Sequence, residues 1–529
     1  MNKHKIIRDT FFLTAIELIL QGLSLLLNVF VTRKLGSSFM GMISLIGSFF
    51  GFVTIISSGN IYLSSSRFIS EEIGKKNGNP NKVFRYSVVS SVTLSIVIGI
   101  IVFSFSELIS TRILKTDQLI VPIRILAMIL PVASINSSLK GYFNAVRNVS
   151  VAAAGSTLEF LVKSGLFAFF AEFMILNGKI NTLTAFAVSI AAGQIVSCLV
   201  LVFFYLKLHK SCGCECSIRF QKFVVSSVPI FFNSIVTSVL SSANDALVPL
   251  TLKQYGNSTS EAFSQFGIFE AIVIPALFFP SSILCSLSGI LVPELARERS
   301  ADNSAGNARL INKVLRYTFS FSIFTAGIFL CFGKEIGYIM SGDYFAGKII
   351  SILAPAVPFI YLEIILEGIL KGMGKHSFSS LNYLVEYTIR ISVLLICVPI
   401  FGFYGIVISY LASNIVCNIT RMIMIIKITG IKFSFSDNLI IPIISAVLSM
   451  QIVAVTDRLI HLDNLNFLVE TIIFACLTLV LYIVIQKLIY RLTEDRLELE
   501  LTGGQFFNIN LHSKICTYVF KCFQYFFHN

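Results

Sequence analysis

Charge is what this sequence has least of. Asp, Glu, Lys and Arg make up 13% of its 529 residues, about half the ~25% that a soluble domain carries. That scarcity excludes a soluble enzyme, a disordered chain and a nucleic-acid-binding module, none of which can do without a polar coat. Other absences narrow the field further. No glycine-rich phosphate loop occurs, which argues against direct use of ATP. No outer loop is long enough to hold a folded domain or the catalytic carboxylates of a membrane glycosyltransferase or polymerase. The chain is therefore not read as an enzyme, and no catalytic residue or cofactor is assigned. The first apolar stretch has no Ala-x-Ala-like site and reads as a retained first helix, not a cleaved signal peptide. The eleven cysteines are odd in number and lie mostly in apolar spans or on the cytoplasmic side, where thiols stay reduced. Three of them, Cys212, Cys214 and Cys216, share one loop but lack the spacing and fourth ligand of a zinc site. No metal is expected.

What the sequence has in abundance is apolar length: 55% hydrophobic residues and a mean hydropathy of +0.83. Runs of about 20 apolar residues span a bilayer. Such runs fall near 7–32, 39–64, 84–107, 120–145, 150–176, 183–207, 223–250, 263–292, 314–336, 347–370, 377–400, 403–427, 437–458 and 465–489. The expected fold is an all-α polytopic membrane protein of about 14 transmembrane helices. The formal charge of +13 follows from topology. With the N-terminus inside, roughly 29 of the 41 Lys and Arg fall in cytoplasmic segments, the bias that sets orientation. Both termini are then cytoplasmic. The basic excess is drawn to anionic lipid headgroups, which makes membrane lipids, and not nucleic acid, the expected partners.

The chain also repeats itself. Asn81-Lys82-Val83-Phe84-Arg85-Tyr86-Ser87 opens the third helix, and Asn312-Lys313-Val314-Leu315-Arg316-Tyr317-Thr318 opens the ninth. Pro131, Gly141, Glu159 and Lys163 recur as Pro358, Gly368, Glu386 and Arg390, each displaced by 227 positions. Arg33 to Gly36, then Gly41, resembles Lys253 to Gly256, then Gly267. The repeat unit is about six helices, an even number, so both copies enter the membrane from the same side. The expected organisation is two pseudo-symmetric six-helix lobes, 1–222 and 223–432, related by an axis along the membrane normal. Two further helices follow in 433–490, and then a cytoplasmic amphipathic tail, 491–529. The tail's aromatic, basic part from Leu511 reads as an interfacial helix.

An ionisable side chain in hydrocarbon is costly and tends to face a cavity or a partner. Glu159 and Lys163, and their counterparts Glu386 and Arg390, stand four apart on their helices, a spacing that permits an ion pair within each helix. Read functionally, they line a central cavity and bind a charged headgroup; read as packing, they are self-neutralised pairs. Arg33, Arg67 and Arg124 are further cavity candidates. Glu17, Lys140, Glu363 and Glu367 lie towards the inner helix ends. Lys140 and Glu367 hold equivalent repeat positions with opposite charge and are expected to meet in a cytoplasmic gate; the alternative is separate snorkelling charges. Asp245, beside Asn244, and Glu270 lie nearer the outside and are candidates for a coupling cation, H+ or Na+.

Several segments carry a family resemblance. Lys140-Gly141-Tyr142-Phe143-Asn144, followed by Ala152 and Glu159, resembles the "RGYFQG…A…EQ" segment of the stage V sporulation protein B and polysaccharide-exporter group. Asn244 to Pro249, then Gly256 and Glu261-Ala262, is similar to that group's helix-seven segment, and Leu291 to Leu295 to its helix-eight ending. The resemblance spans about residues 7–490 and places the chain in the multidrug/oligosaccharidyl-lipid/polysaccharide exporter superfamily. It implies a two-lobed flippase of the bacterial cytoplasmic membrane, moving a polyprenyl-diphosphate-linked saccharide by alternating access. The alternative within the superfamily is an ion-coupled multidrug exporter. Related lipid II flippases carry arginines on the first helix that grip the diphosphate. Residues 15–24 here contain none, which leaves Arg33, Arg67, Lys163 and Arg390 as diphosphate partners by charge alone.

Overall fold

A computed structural model describes residues 3–73, 79–113, 117–146, 148–172, 181–208, 219–300, 304–431, 433–460 and 467–501. The run Cys212 to Cys216 and the interfacial helix expected from Leu511 lie outside the described residues. Among those described there is no strand, and fourteen helical segments are long and apolar enough to cross a membrane. They follow the fourteen expected spans in order.

In chain order the helices are α1 (Lys3–Leu35), α2 (Ser37–Ser58), α3 (Ile61–Ile73), α4 (Pro80–Ser104), α5 (Ser106–Leu108), α6 (Ile120–Ala145), α7 (Val149–Phe170), α8 (Thr182–Leu208), α9 (Phe220–Tyr255) and α10 (Thr259–Ile268). They continue with α11 (Ile274–Phe278), α12 (Ser282–Ser300), α13 (Ser304–Ser341), α14 (Tyr344–Leu353), α15 (Val357–Gly372), α16 (His376–Phe401), α17 (Phe403–Thr429), α18 (Ile441–Ile460) and α19 (Phe467–Leu501). The chain forms two compact units. One comprises 1–286, 340–342 and 376–417; the other comprises 287–339, 343–375 and 418–529.

In the first unit the expected second span is two helices. Gly59 at φ 64° takes the left-handed conformation that ends α2, and Asn60 follows at φ 47°. Asn60 then donates to Ser234 Oγ at 2.6 Å, fixing the corner against α9. Below the corner, α3, α4, α6, α8 and the start of α9 share an aromatic core that includes Phe68, Phe84, Tyr142, Phe143, Leu201 and Phe223.

Two glycines bring α2 and α10 into close contact. A Cβ at Gly41 would lie 2.0 Å from the Phe263 carbonyl oxygen, and one at Gly267 would lie 2.2 Å from that of Ser37. Without side chains there, the backbones meet, and Ser37 and Ser264 share a hydrogen bond at 2.5 Å between their hydroxyls. Small residues are how membrane helices approach closely, since lipid supplies no hydrophobic drive to press them together.

The second unit has a crossing of the same kind, where Gly337 of α13 meets Gly347 of α14. In this unit α18 and α19 pair as a hairpin, and α19 is tied to α13. Tyr482 donates to the Ser320 carbonyl at 2.9 Å, and Gln486 donates to Ser320 Oγ at 2.7 Å.

The Gly41 contact makes a testable claim. Gly41→Leu drives α2 off α10 and lowers the unfolding midpoint in detergent, at a cost on the order of 1–3 kcal/mol. Gly47→Ala and Gly51→Ala on the same helix, where a Cβ meets nothing within 4 Å, leave the midpoint unchanged or raise it.

Candidate functional site

Three polar clusters stand within the spans. In the first, α8 is drawn onto α7 at Gly193, where a Cβ would lie 2.7 Å from the Glu159 carbonyl oxygen. That close approach sets Gln194 beside the carboxylate, and Gln194 Nε2 donates to Glu159 Oε1 at 2.7 Å. Lys140 of α6 donates to Glu159 Oε2 at 2.7 Å. Asn136, one turn earlier on α6, donates to Gln194 Oε1 and accepts from Ser197. The hydrogen-bonded partner of Glu159 is thus Lys140, while Lys163, at the helical spacing, acts on it only electrostatically. The Lys163 ammonium lies over the Phe160 ring at 5.6 Å.

The second cluster belongs to α2, α9, the turn that follows α10, α16 and α17. Glu386 and Arg390 do pair within their helix, at 2.6 Å, and both are buried at 1% and 6% exposure. Arg390 Nε also donates to Ser413 Oγ at 3.1 Å, and the guanidinium lies over Tyr387 and Tyr410, 4.9 and 4.3 Å from the ring centres. The same guanidinium acts electrostatically on Asp245 and Glu270, which act on each other. Ser48 Oγ donates to Asp245 Oδ2 at 2.5 Å, and Asn244 donates to Oδ1 at 3.3 Å. Glu386 pairs with the guanidinium directly, and the carboxyl groups of Asp245 and Glu270 lie within its electrostatic reach. Glu270 lies in a π-turn, Phe269–Val273, and the turn has a local cause. Pro275 has no N–H to give the carbonyl of Ala271 four residues back. The Asn28 side chain supplies that bond instead, at 3.0 Å.

The third cluster is in the second unit. Arg421 of α17, the largest fully buried side chain of the described residues, donates to Glu367 Oε1 at 3.1 Å, to Glu363 Oε1 at 3.4 Å and to Asn418 Oδ1 at 3.4 Å. Lys371 pairs with Glu367 from one turn on, at 3.2 Å. Asn418 is itself held by donating to the Phe359 carbonyl at 2.7 Å.

The remaining candidates are dispersed. Arg33 is exposed in the last turn of α1. Arg67 is exposed, paired with Glu71 at 3.0 Å and over the Phe68 ring. Arg124 is exposed, donating to Ser106 Oγ at 2.9 Å and over the Phe103 ring. Glu17 lies on α1 with its side chain outside the described residues. Lys140 and Glu367, the expected gate pair, each hold a partner elsewhere: Glu159 for Lys140, and Arg421 with Lys371 for Glu367.

Arg421 was not among the expected residues. The signal that finds it is the repeat, carried one helix further. Ala192-Gly193-Gln194-Ile195-Val196-Ser197-Cys198 aligns with Ala412-Ser413-Asn414-Ile415-Val416-Cys417-Asn418, a displacement of 220 positions. In that register Arg421 stands where the first copy has Leu201, which is buried in the aromatic core. A buried leucine and a buried arginine at equivalent places mark a position that the scaffold does not require to be charged.

Residues 6–298 match the family described as polysaccharide biosynthesis protein. Stage V sporulation protein B of Bacillus subtilis (strain 168) is 20% identical over 449 residues, which covers 83% of this chain and 86% of that protein. Among solved structures, the lipid II flippase MurJ in an inward closed conformation is similar at a TM-score of 0.69 and 14% identity, covering 91% of this chain and 99% of that one. A multidrug resistance transporter in an inward-facing conformation gives 0.59 at 15% identity, over 78% of this chain and 96% of that one. At these identities the solved structures speak for the fold.

Removing one member of a buried ion cluster strands the others, a loss of roughly 3–5 kcal/mol. Arg421→Leu alone is therefore expected to destabilise the protein by about that amount in detergent unfolding. Arg421→Leu combined with Glu363→Gln and Glu367→Gln recovers most of it, because the residue at the equivalent place in the first copy is already leucine.

Proposed function

Because the chain belongs to the family of polysaccharide biosynthesis proteins, we propose that it is a flippase that carries a lipid-linked saccharide precursor across the cytoplasmic membrane of a bacterium. Both termini face the cytoplasm, and the lobes 1–222 and 223–432 rock about a shared passage. The observation that carries the reading is the set of polar clusters deep in the spans of both repeat copies. A sugar diphosphate headgroup needs a polar path through hydrocarbon, while its prenyl tail stays in lipid. Ion clusters confer little stability over apolar packing, so their presence in both copies supports a transport role. What stage V sporulation protein B and MurJ are called agrees with this reading. Within it, Lys163 and Arg390 serve as headgroup partners beside Glu159 and Glu386, with Arg33, Arg67 and Arg124 along the route. Glu17, Lys140, Glu363 and Glu367 serve at the inner end.

The second cluster supports coupling to an ion. Asp245, Glu270 and Glu386 exceed the single charge of Arg390, and the excess takes up H+ or Na+ as the passage changes access. The same acidic excess favours the second reading, ion-coupled efflux of cationic drugs. The two part on substrate. In a flippase, depleting the protein strands labelled lipid-linked saccharide in the inner leaflet and leaves drug tolerance unchanged. Normal outer-leaflet delivery without it, in cells lacking any redundant carrier, rules the flippase out.

Rocking makes a second, independent prediction. By the positive-inside bias, the α2–α10 crossing lies at the outer face, where the passage has to open. Ser37→Cys with Ser264→Cys places two thiols where hydroxyls now touch, within reach of a disulfide. Oxidation is expected to cross-link them and stop transport, and a reductant to restore it. Full transport by the cross-linked protein removes this opening from the mechanism.

A further inference from the structure

Away from these clusters, the second unit holds a cavity of about 800 Å³ lined by α13, by the turn leading into α18, and by α19. Its cations are Lys313, Arg316 and Lys487; its one carboxylate is Asp437. Amides and hydroxyls complete the wall, Asn312, Gln486 and Tyr490 among them. Arg316 lies flat over the Tyr490 ring, 3.6 Å from its centre, and Tyr490 is held in turn by donating to the Asp437 carbonyl at 2.7 Å. The ring fixes the guanidinium plane and leaves its N–H edges free. Among the described residues, none of the three cations has an ion-pair partner, and the Arg316 N–H groups find no protein acceptor. The cavity thus presents a net positive charge with unspent donors, on a wall fixed by the Gln486 and Tyr482 bonds to Ser320.

The internal repeat supplies a control. Asn312-Lys313…Arg316-Tyr317 is the second copy of Asn81-Lys82…Arg85-Tyr86. In the first copy, rings from the start of α9 close on the motif: Phe220 and Phe223 pack on Tyr86 at 5.3 and 6.4 Å. In the second copy the space stays open, and α19, which has no equivalent in the first six helices, contributes Lys487 and Tyr490. The motif alone is therefore a way of starting a helix, and only the second copy makes a bowl of it.

We propose that this cavity binds the phosphate-bearing headgroup of an anionic membrane lipid. A phosphate diester gives a stacked arginine two acceptor oxygens, and basic pockets between membrane helices suit such headgroups. The surroundings favour a lipid over free phosphate. Ile483 lines the cavity and is exposed, and Leu479 and Val480, one turn earlier on α19, are exposed too. This apolar stripe runs from the bowl towards the membrane interior, where acyl chains lie. By the positive-inside bias the bowl opens at the inner leaflet. The lipid is a resident of the second unit and does not use the residues assigned to the transported headgroup.

The test uses the full chain in nanodiscs of phosphatidylcholine containing a minor share of phosphatidylglycerol, with protein-bound lipid read by native mass spectrometry. The protein is expected to retain phosphatidylglycerol over phosphatidylcholine. Lys313→Gln, Arg316→Gln and Lys487→Gln together weaken that retention on the order of tenfold or more. Arg316→Lys keeps part of it. Lys82→Gln with Arg85→Gln, in the first copy, changes nothing. Unaltered retention in the triple variant overturns the site, provided its unfolding midpoint matches the parent's; a loss of retention in the Lys82/Arg85 variant as well overturns it too. Inorganic phosphate that competes off phosphatidylglycerol at equal concentration, and binds as well in discs of phosphatidylcholine alone, overturns the lipid assignment in favour of a soluble anion.

Discussion

An ionic group in hydrocarbon has to be answered by another polar group nearby, because no water is there to do it. The interior of this protein is arranged around that requirement. Glu159 is answered by one cation and two amides reaching it from α6 and α8. Arg390 is answered by a carboxylate, a hydroxyl and two aromatic faces. Arg421 is answered by two carboxylates and an amide. In each case the partners come from more than one helix, so the charges also fix which helices lie together and at what depth.

The two repeat copies meet the requirement differently, and the differences fall at equivalent positions. Gly193 lets α8 close on Glu159, whereas Ser413, its counterpart on α17, gives Arg390 a hydroxyl. Leu201 belongs to an aromatic core, while its counterpart Arg421 is the centre of an ion cluster. Lys140 is a cation on α6, and its counterpart Glu367 an anion on α15. The scaffold of helices is shared and the chemistry is not.

The spans and the repeat were legible in the sequence because both are local properties: a window of apolar residues, a fixed displacement between matching residues. Partners across helices were not. Spacing along α7 favours Lys163 for Glu159, but only the approach of α6 shows that Lys140 arrives first. Arg421 stands close to the expected end of its span, where a long cation normally snorkels to water; its burial depends on Glu363 and Glu367 of α15. The expected span 39–64 is longer in the structure because Gly59 and Asn60 turn the chain without ending the crossing. The cavity beside Tyr490 needs three elements at once, and no single stretch of sequence contains it.

The bond between Asn28 and the Ala271 carbonyl has a mechanical meaning. A regular helix resists bending because each backbone amide is tied to the turn before it. Around Pro275 that tie is missing from the helix and has been transferred to α1, so local stiffness is set by how α1 sits. Should α1 draw away, the carbonyl loses its donor and the segment carrying Glu270 becomes the most compliant stretch of its span. Position of one helix is thereby converted into elasticity of another, at an acid of the Arg390 cluster.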